Sequence, residues 1–194
     1  YHVIRQSCNL GAARLAYKLG SKKLYEYEKA FGLLDRLNVG FGCEAVGRLE
    51  SPDKWRQMRL ANIGFGQGIA VTPLQMAAAY CVIANGGTYV YPRIVKEISS
   101  SDGSQKQIFN PKKGDRVISE EAALEVRKML ASCADEGTGK NALIDGRTVA
   151  GKTGSAQVAR ADGKGYETSA FIASFMGFVP AFEPELVIAV VVNR

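Results

Sequence analysis

The sequence predicts an α+β domain in which an antiparallel sheet is flanked by helices. Segments with apolar residues at helical spacing fill the first part of the chain, and strand-like apolar runs fill the last third. Those runs are joined by short polar turns, which favours antiparallel neighbours. No stretch repeats at a fixed period, so a solenoid is not expected. The 194 residues suffice for one domain whose core needs neither disulfides nor metal.

The first helix is expected over residues 10–19, stopped by Gly20. A second follows, with Ser21 as its cap, Leu24, Tyr27 and Phe31 on one face, and Gly32 at its end. Gly40, Gly42 and Gly47 mark residues 38–47 as loop, and no Gly-Lys-Ser/Thr follows to make it a phosphate loop. In Ser51-Pro52-Asp53-Lys54 the proline suits the first turn of a helix capped by Ser51.

A glycine-rich turn over 63–68 leads into the best-marked helix, 72–85. Thr72 and Gln75 form a capping-box pair, Pro73 occupies the first helical position, and Asn85-Gly86-Gly87 ends the helix. It is almost uncharged, which predicts burial on most sides and a central supporting role.

Residues 88–99 read as extended, Ser101-Asp102-Gly103-Ser104 as a turn, 105–109 as a returning strand and 110–115 as polar loop. Ser119 caps the next expected helix, where Ala123, Val126, Leu130 and Cys133 follow a 3-4-3 spacing and Glu120 and Glu121 lie at the positive end. Strands are expected over 148–156, 170–179 and 186–192, with a polar loop over 160–165 and a turn over 180–184.

Composition narrows the function. The net charge is +6, from 25 basic and 19 acidic residues, and residues 1–60 hold 11 basic against 6 acidic. Lys18, Lys22, Lys23 and Lys29 are interleaved with Glu26 and Glu28, so this excess reads as a solvated helix face, and no nucleic-acid motif accompanies it. No run approaches the roughly 20 apolar residues of a membrane span. Cys8, Cys43, Cys81 and Cys133 form no Cys-x-x-Cys pair, which excludes the usual zinc and redox patterns. His2 is the only histidine and stands next to the first residue, so a Ser-His-Asp hydrolase is not expected. No metal or cofactor is called for, and the aromatics Tyr25, Tyr27, Phe31 and Trp55 read as packing residues.

The chemistry-bearing residues fall in two places, Ser7-Cys8-Asn9 and Lys152-Thr153-Gly154. On a strand Lys152 and Gly154 share a face and Thr153 takes the other, unless a bulge at Gly151 or Gly154 turns the hydroxyl round. A cation there can hold a carboxylate, and a glycine lets an extended peptide approach the sheet edge.

Five motifs occur in order: Ser7-Cys8-Asn9; Gly66-Gln67-Gly68 with Thr72-Pro73-Leu74-Gln75-Met76-Ala77; Ile83-Ala84-Asn85-Gly86-Gly87; Gly137-Thr138-Gly139; and Gly151-Lys152-Thr153-Gly154-Ser155-Ala156-Gln157. Together they resemble the transpeptidase domain of bacterial penicillin-binding proteins, whose signature includes Ser-x-Asn and Lys-Thr-Gly. The stretch from Phe31-Gly32 to Glu44-Ala45-Val46-Gly47 resembles the class B, monofunctional branch. The resemblance runs over essentially all of residues 1–194 and implies the serine β-lactamase and penicillin-binding fold.

The family's nucleophile motif, Ser-x-x-Lys, stands upstream of Ser-x-Asn, and only six residues precede Ser7. The sole textual match, Ser51 to Lys54, is in the wrong order. The chain is therefore expected to be an interior piece of such a domain, its sheet incomplete, inert towards acylation by itself.

Carried over residue by residue, the resemblance implies that Ser7 passes a proton towards the leaving group and Asn9 holds a peptide carbonyl. Lys152 and Thr153 would bind the terminal carboxylate of a D-alanyl-D-alanine stem or a β-lactam, beside Gly154 and Gln157. The Ser155 backbone N–H would supply half of an oxyanion hole. Cys8 reads as a structural thiol between two functional residues.

The activity implied is peptidoglycan D,D-transpeptidation through a serine acyl-enzyme. A D,D-carboxypeptidase or β-lactamase of the same fold, or a non-catalytic binding or sensing module, stands beside it as an alternative. The implied setting is the outer face of the cytoplasmic membrane, in a membrane-anchored parent working with cell-wall synthesis partners and not with nucleic acid.

Overall fold

The structure is a computed structural model that describes residues 1–40, 42–160 and 165–193. Its order is α1 (His2–Arg5), α2 (Asn9–Leu19), α3 (Ser21–Ala30), α4 (Gln57–Gly64), α5 (Pro73–Ala84), β1 (Thr88–Val90), β2 (Glu97–Ser99), β3 (Lys106–Ile108), β4 (Lys113–Arg116), α6 (Glu120–Asp135), β5 (Ala150–Ala159), β6 (Tyr166–Val179) and β7 (Leu186–Asn193). The α+β layout, with helices leading and an antiparallel sheet closing, is the predicted one.

The main sheet runs β5-β6-β7, all antiparallel. β5 lies at its edge, with Lys152 opposite Met176 and Thr153 opposite Phe175. Its inner face packs on α5 and α6, where Leu130, Ala131, Ala150, Phe178 and Ala181 form a core cluster that Ile4, Tyr80 and Val126 complete. Burying side chains the size of Leu130 and Phe178 contributes about 1.5–3 kcal/mol each relative to exposure. The other face of β7 carries Leu186, Ile188 and Val190, all exposed.

Helix α5 forms as predicted. The Thr72 hydroxyl accepts from the Gln75 N–H (3.1 Å) and the Gln75 Oε1 accepts from the Thr72 N–H (2.9 Å), a complete capping box. Gln75 is itself buried, and its Nε2 donates to the Asp35 carbonyl (2.9 Å), so the cap also fixes the loop after α3. At the far end Gly87 has φ +94°, and a Cβ there would stand 2.1 Å from the Ile118 carbonyl oxygen. Only glycine permits that crossing of α5's exit with the entry to α6.

Several expectations are corrected. Gly20, the sole residue between α2 and α3, takes the cap position of α3, so Ser21 is its first helical residue and makes no capping bond. Ser51 stands at the cap position, with Pro52 first, of only a single 3₁₀ turn, Pro52–Lys54, and makes no capping bond, while the α-helix of this region, α4, starts at Gln57. α4 has no capping side chain to announce it. It exists by packing on α2, where a Cβ at Gly64 would meet the Ala16 Cβ at 2.5 Å. Ile63 and Gly64 are thus helix, not turn.

Residues 113–116 are strand β4 and not loop, because pairing with β1 imposes extended backbone on a sequence with no apolar alternation. The expected strand over 88–99 is interrupted: β1 pairs with β4, and β2 pairs with β3 across the predicted turn at 101–104. Most of the expected loop over 160–165 lies outside the described residues. Trp55 packs edge-on against Tyr25 as expected of packing residues, whereas Tyr27 stays 37% exposed.

Candidate active site

Ser7 lies in a turn between two helices. α1 ends at Arg5, the Ser7 N–H donates to the Ile4 carbonyl (3.1 Å) and the Cys8 N–H to that of Val3 (2.9 Å). Closing this turn requires left-handed backbone at Ser7, φ +54°, a conformation uncommon for a non-glycine residue. Cys8 then caps α2, its Sγ accepting from the Gly11 N–H at 3.4 Å, which is the structural role expected of it. Ser7 and Asn9 are both exposed.

Lys152 and Thr153 stand on edge strand β5. Lys152 Nζ donates to the Thr153 carbonyl (2.8 Å) and lies 3.5 Å from both the Thr153 and the Thr138 hydroxyls. The Thr153 hydroxyl donates to that of Thr138 (2.9 Å). The ladder from Ala150 to Gln157 runs without a register shift, so no bulge brings the two side chains together. Instead Thr138, on the loop after α6, is reached by side chains from successive positions of the strand. The lysine stem is long enough to make that reach.

Desolvation pulls the Lys152 pKa below its ordinary value, partly opposed by the neighbouring Cys133 thiol. Burial in turn pushes the Cys133 thiol up. A half-buried cation whose hydrogen-bond partners here are the neutral oxygens of Thr153 and Thr138 favours an incoming anion.

One junction between the two halves runs through residues 136–138. The side chains of Arg5 and Glu136 form an ion pair, and a Cβ on Gly137 would stand 2.6 Å from the Arg5 carbonyl oxygen. Glycine is required by that approach, and the next residue is Thr138. The structure therefore joins Lys152, Thr153 and Thr138 directly and links the Ser7–Asn9 turn to them through residues 136–138.

Gly154 faces Ser174, whose Oγ would lie 2.6 Å from an added Cβ, so its small size serves the contact with β6. Ser155 and Gln157 are exposed further along β5, outside the hydroxyl cluster. Thr138 was not among the predicted site residues, although the Gly-Thr-Gly triplet around it offered a signal. Among the described residues no group of three or more His, Cys, Asp or Glu could hold a metal ion. A cavity of about 380 Å³ beside α3 and β1, lined by Tyr89, Tyr91, Lys23 and Arg36 among others, shares no residue with this cluster.

Residues 2–194 match the family described as the penicillin binding protein transpeptidase domain. The chain is 40% identical over 193 residues to stage V sporulation protein D of Bacillus subtilis, covering 99% of this chain and 30% of that protein. It is 31% identical to a probable peptidoglycan D,D-transpeptidase PenA of Neisseria meningitidis, covering 99% and 31%. Penicillin-binding protein 3 of Mycobacterium tuberculosis, solved in complex with ampicillin, superposes with a TM-score of 0.92 at 34% identity, covering 99% of this chain and 44% of that one. The chain thus spans about a third of the length of these curated relatives. The ordered motifs, the hydroxyl-lined lysine on the edge strand and these likenesses agree: the chain belongs to the penicillin-binding protein transpeptidase-domain family, on its class B branch.

Proposed function

We propose that the protein containing this chain is a peptidoglycan D,D-transpeptidase, and that the chain supplies its substrate-binding side. The observation that carries the reading is the cluster of Lys152, Thr153 and Thr138 on the edge of β5. An ammonium with two hydroxyls beside it suits a carboxylate, and the strand edge suits an extended peptide, as in a D-alanyl-D-alanine stem. A β-lactam presents the same carboxylate next to its reactive carbonyl.

In this scheme a serine hydroxyl attacks the carbonyl of the penultimate D-alanine, and the C–N bond to the last D-alanine breaks. The Ser7 hydroxyl passes a proton to the departing amine, so free D-alanine leaves and an ester remains. An amine of a neighbouring stem attacks the ester, forms the crosslink and releases the serine. Asn9 holds a substrate carbonyl, while Gly154 and Gln157 flank the peptide. The Ser155 N–H stabilises the oxyanion, a donor whose loss typically costs about 10²–10³ in rate.

Ser51 does not serve as the nucleophile. It precedes a 3₁₀ turn with extended backbone (φ −54°, ψ 137°), so it and Lys54 do not share a helical face. The attacking serine belongs to a Ser-x-x-Lys segment of the whole protein, and the 194 residues by themselves do not acylate. The protein works on the outer face of the cytoplasmic membrane, anchored to it and alongside other cell-wall synthesis proteins.

Fluorescent penicillin tests the reading. The whole protein is expected to label covalently, with competition by unlabelled β-lactam, and the isolated chain is not. No labelling of the whole protein, or labelling of the isolated chain, overturns the assignment.

A further inference from the structure

The junction between the Ser7–Asn9 turn and the Lys152 cluster is built from residues that the motifs leave without a role. Arg5 is the last residue of α1, with its side chain 23% exposed, and it pairs with Glu136 just past α6. Its carbonyl lies against Gly137, whose N–H donates to the Cys133 carbonyl (3.1 Å). His2 stands on the other side of the guanidinium, its Nε2 3.3 Å from Arg5 Nη2. One residue beyond Gly137, the Thr138 hydroxyl meets Thr153 and Lys152.

Ile4 also ties the turn to the sheet by packing against the core cluster that contains Ala150, but that contact is apolar and lies away from the Thr138 loop. α1 has four residues, too few to hold its own orientation, and Ser7 carries left-handed backbone that the surroundings must maintain. Its anchors differ in place. Tyr1 donates to Glu125 (3.0 Å) nearly three turns back along α6, whereas Arg5 grips the residue that opens the Thr138 loop. The second contact acts on the segment that carries Thr138, two residues beyond Glu136, whereas the first is made 13 residues before Thr138.

We propose that Arg5 and Glu136, closed against Gly137, are positioning residues that set the separation between the proton-transferring Ser7 and the carboxylate-binding Lys152 cluster during acylation. This rests on the transpeptidase reading. The pair touches no substrate; it acts by holding two substrate-contacting segments in register. Misplacement of such groups by as little as about 1 Å can lower a rate by up to about 100-fold.

The test uses the whole protein and a labelled penicillin, with the saturating acylation rate and the half-saturating concentration measured separately. Arg5→Gln and Glu136→Gln are each expected to lower the saturating rate about tenfold, with half-saturation changed by less than about threefold. The double variant is expected to be no slower than either single one, because both remove the same contact. Arg5→Lys keeps the charge and is expected to retain most of the rate.

Glu125→Gln is the structural control, since it loosens the same helix pair away from the site and is expected to leave the rate unchanged. Single variants that acylate at the wild-type rate, effects that multiply in the double variant, or a loss in Glu125→Gln matching that in Glu136→Gln would overturn the proposal. Gly137→Ala covers the case in which the charge variants fold poorly. It keeps both charges while pushing a Cβ against the Arg5 carbonyl; measured on protein shown to be folded by circular dichroism, a rate loss supports the brace, whereas a wild-type rate contradicts it. Wild-type protein that fails to acylate overturns the functional reading and this inference with it, so the two failures are told apart by the wild-type arm.

Discussion

Thr153 donates its hydroxyl to that of Thr138 across 2.9 Å, joining β5 to a loop 15 residues earlier in the chain. The contact organises the oxygens around Lys152 and gives the Gly-Thr-Gly triplet a place in the site.

Replacing Thr138 by valine keeps the shape and removes the acceptor. A hydrogen bond to a charged group contributes about 1.5–3 kcal/mol, equivalent to roughly 10- to 100-fold. Thr138→Val is therefore expected to slow penicillin acylation of the whole protein by about tenfold, and Thr138→Ser to keep most of the rate. Equal rates for valine and threonine would remove Thr138 from the site.

The alkaline limb of activity follows from Lys152. Burial lowers its pKa below the usual 10.5, so the ammonium is lost as pH rises through a value under that of a free lysine. Carboxylate-dependent acylation is expected to fall over that range. In Lys152→Arg, whose guanidinium stays charged, whatever activity remains should persist to higher pH. A limb that does not move between the two proteins points to another group.

Glu28 predicts a stability effect distant from the site. Its Oε2 is buried with no hydrogen-bond partner among the described residues, and burial pushes its pKa up to about 7. The folded state binds the proton more tightly than the unfolded state, whose carboxyl titrates near 4.5. The stabilising effect of protonation is fully present below pH 4.5 and is lost as pH rises through 7. Glu28→Gln is expected to raise the unfolding free energy at pH 8 by about 1 kcal/mol, after allowance for solvent screening at this half-buried site, and to change it little at pH 4. Equal effects at both pH values contradict the ionisation argument.

Gln75 links the start of α5 to the loop after α3. Gln75→Ala removes two of its side-chain bonds and leaves the Asp35 carbonyl and the Thr72 N–H without their partner. A loss of about 2–3 kcal/mol is expected in denaturant unfolding. Thr72→Ala, which keeps the Asp35 contact, is expected to cost about 1 kcal/mol.

What could be read ahead of the structure follows from how local its cause is. The capping box of α5, the Ser119 cap of α6 and the three strands of the main sheet are each specified by residues within a few positions, and they form as predicted. α4 and β4 owe their existence to partners, α2 and β1, and no local pattern announces them. In the site, Lys152 and Thr153 could be named from the motif. Thr138 could not be given a contact, because strand alternation predicts opposite faces for Lys152 and Thr153, whereas the long lysine stem curls back to the Thr153 oxygens and the tertiary path of the loop brings the Thr138 hydroxyl to both. Arg5 and Glu136 gave no signal, and Gly137 was visible only as part of its motif, because their contact is made between segments far apart in sequence.

The central claim is that Lys152 and its hydroxyls read the substrate carboxylate. It is tested most directly by comparing acylation of the whole protein by a labelled penicillin and by the methyl ester of that penicillin. Wild-type protein is expected to prefer the free acid by about 10- to 100-fold. In Lys152→Ala both reactions should be slow and the preference should collapse to near unity. A Lys152→Ala protein that still prefers the acid by the wild-type factor would contradict the account.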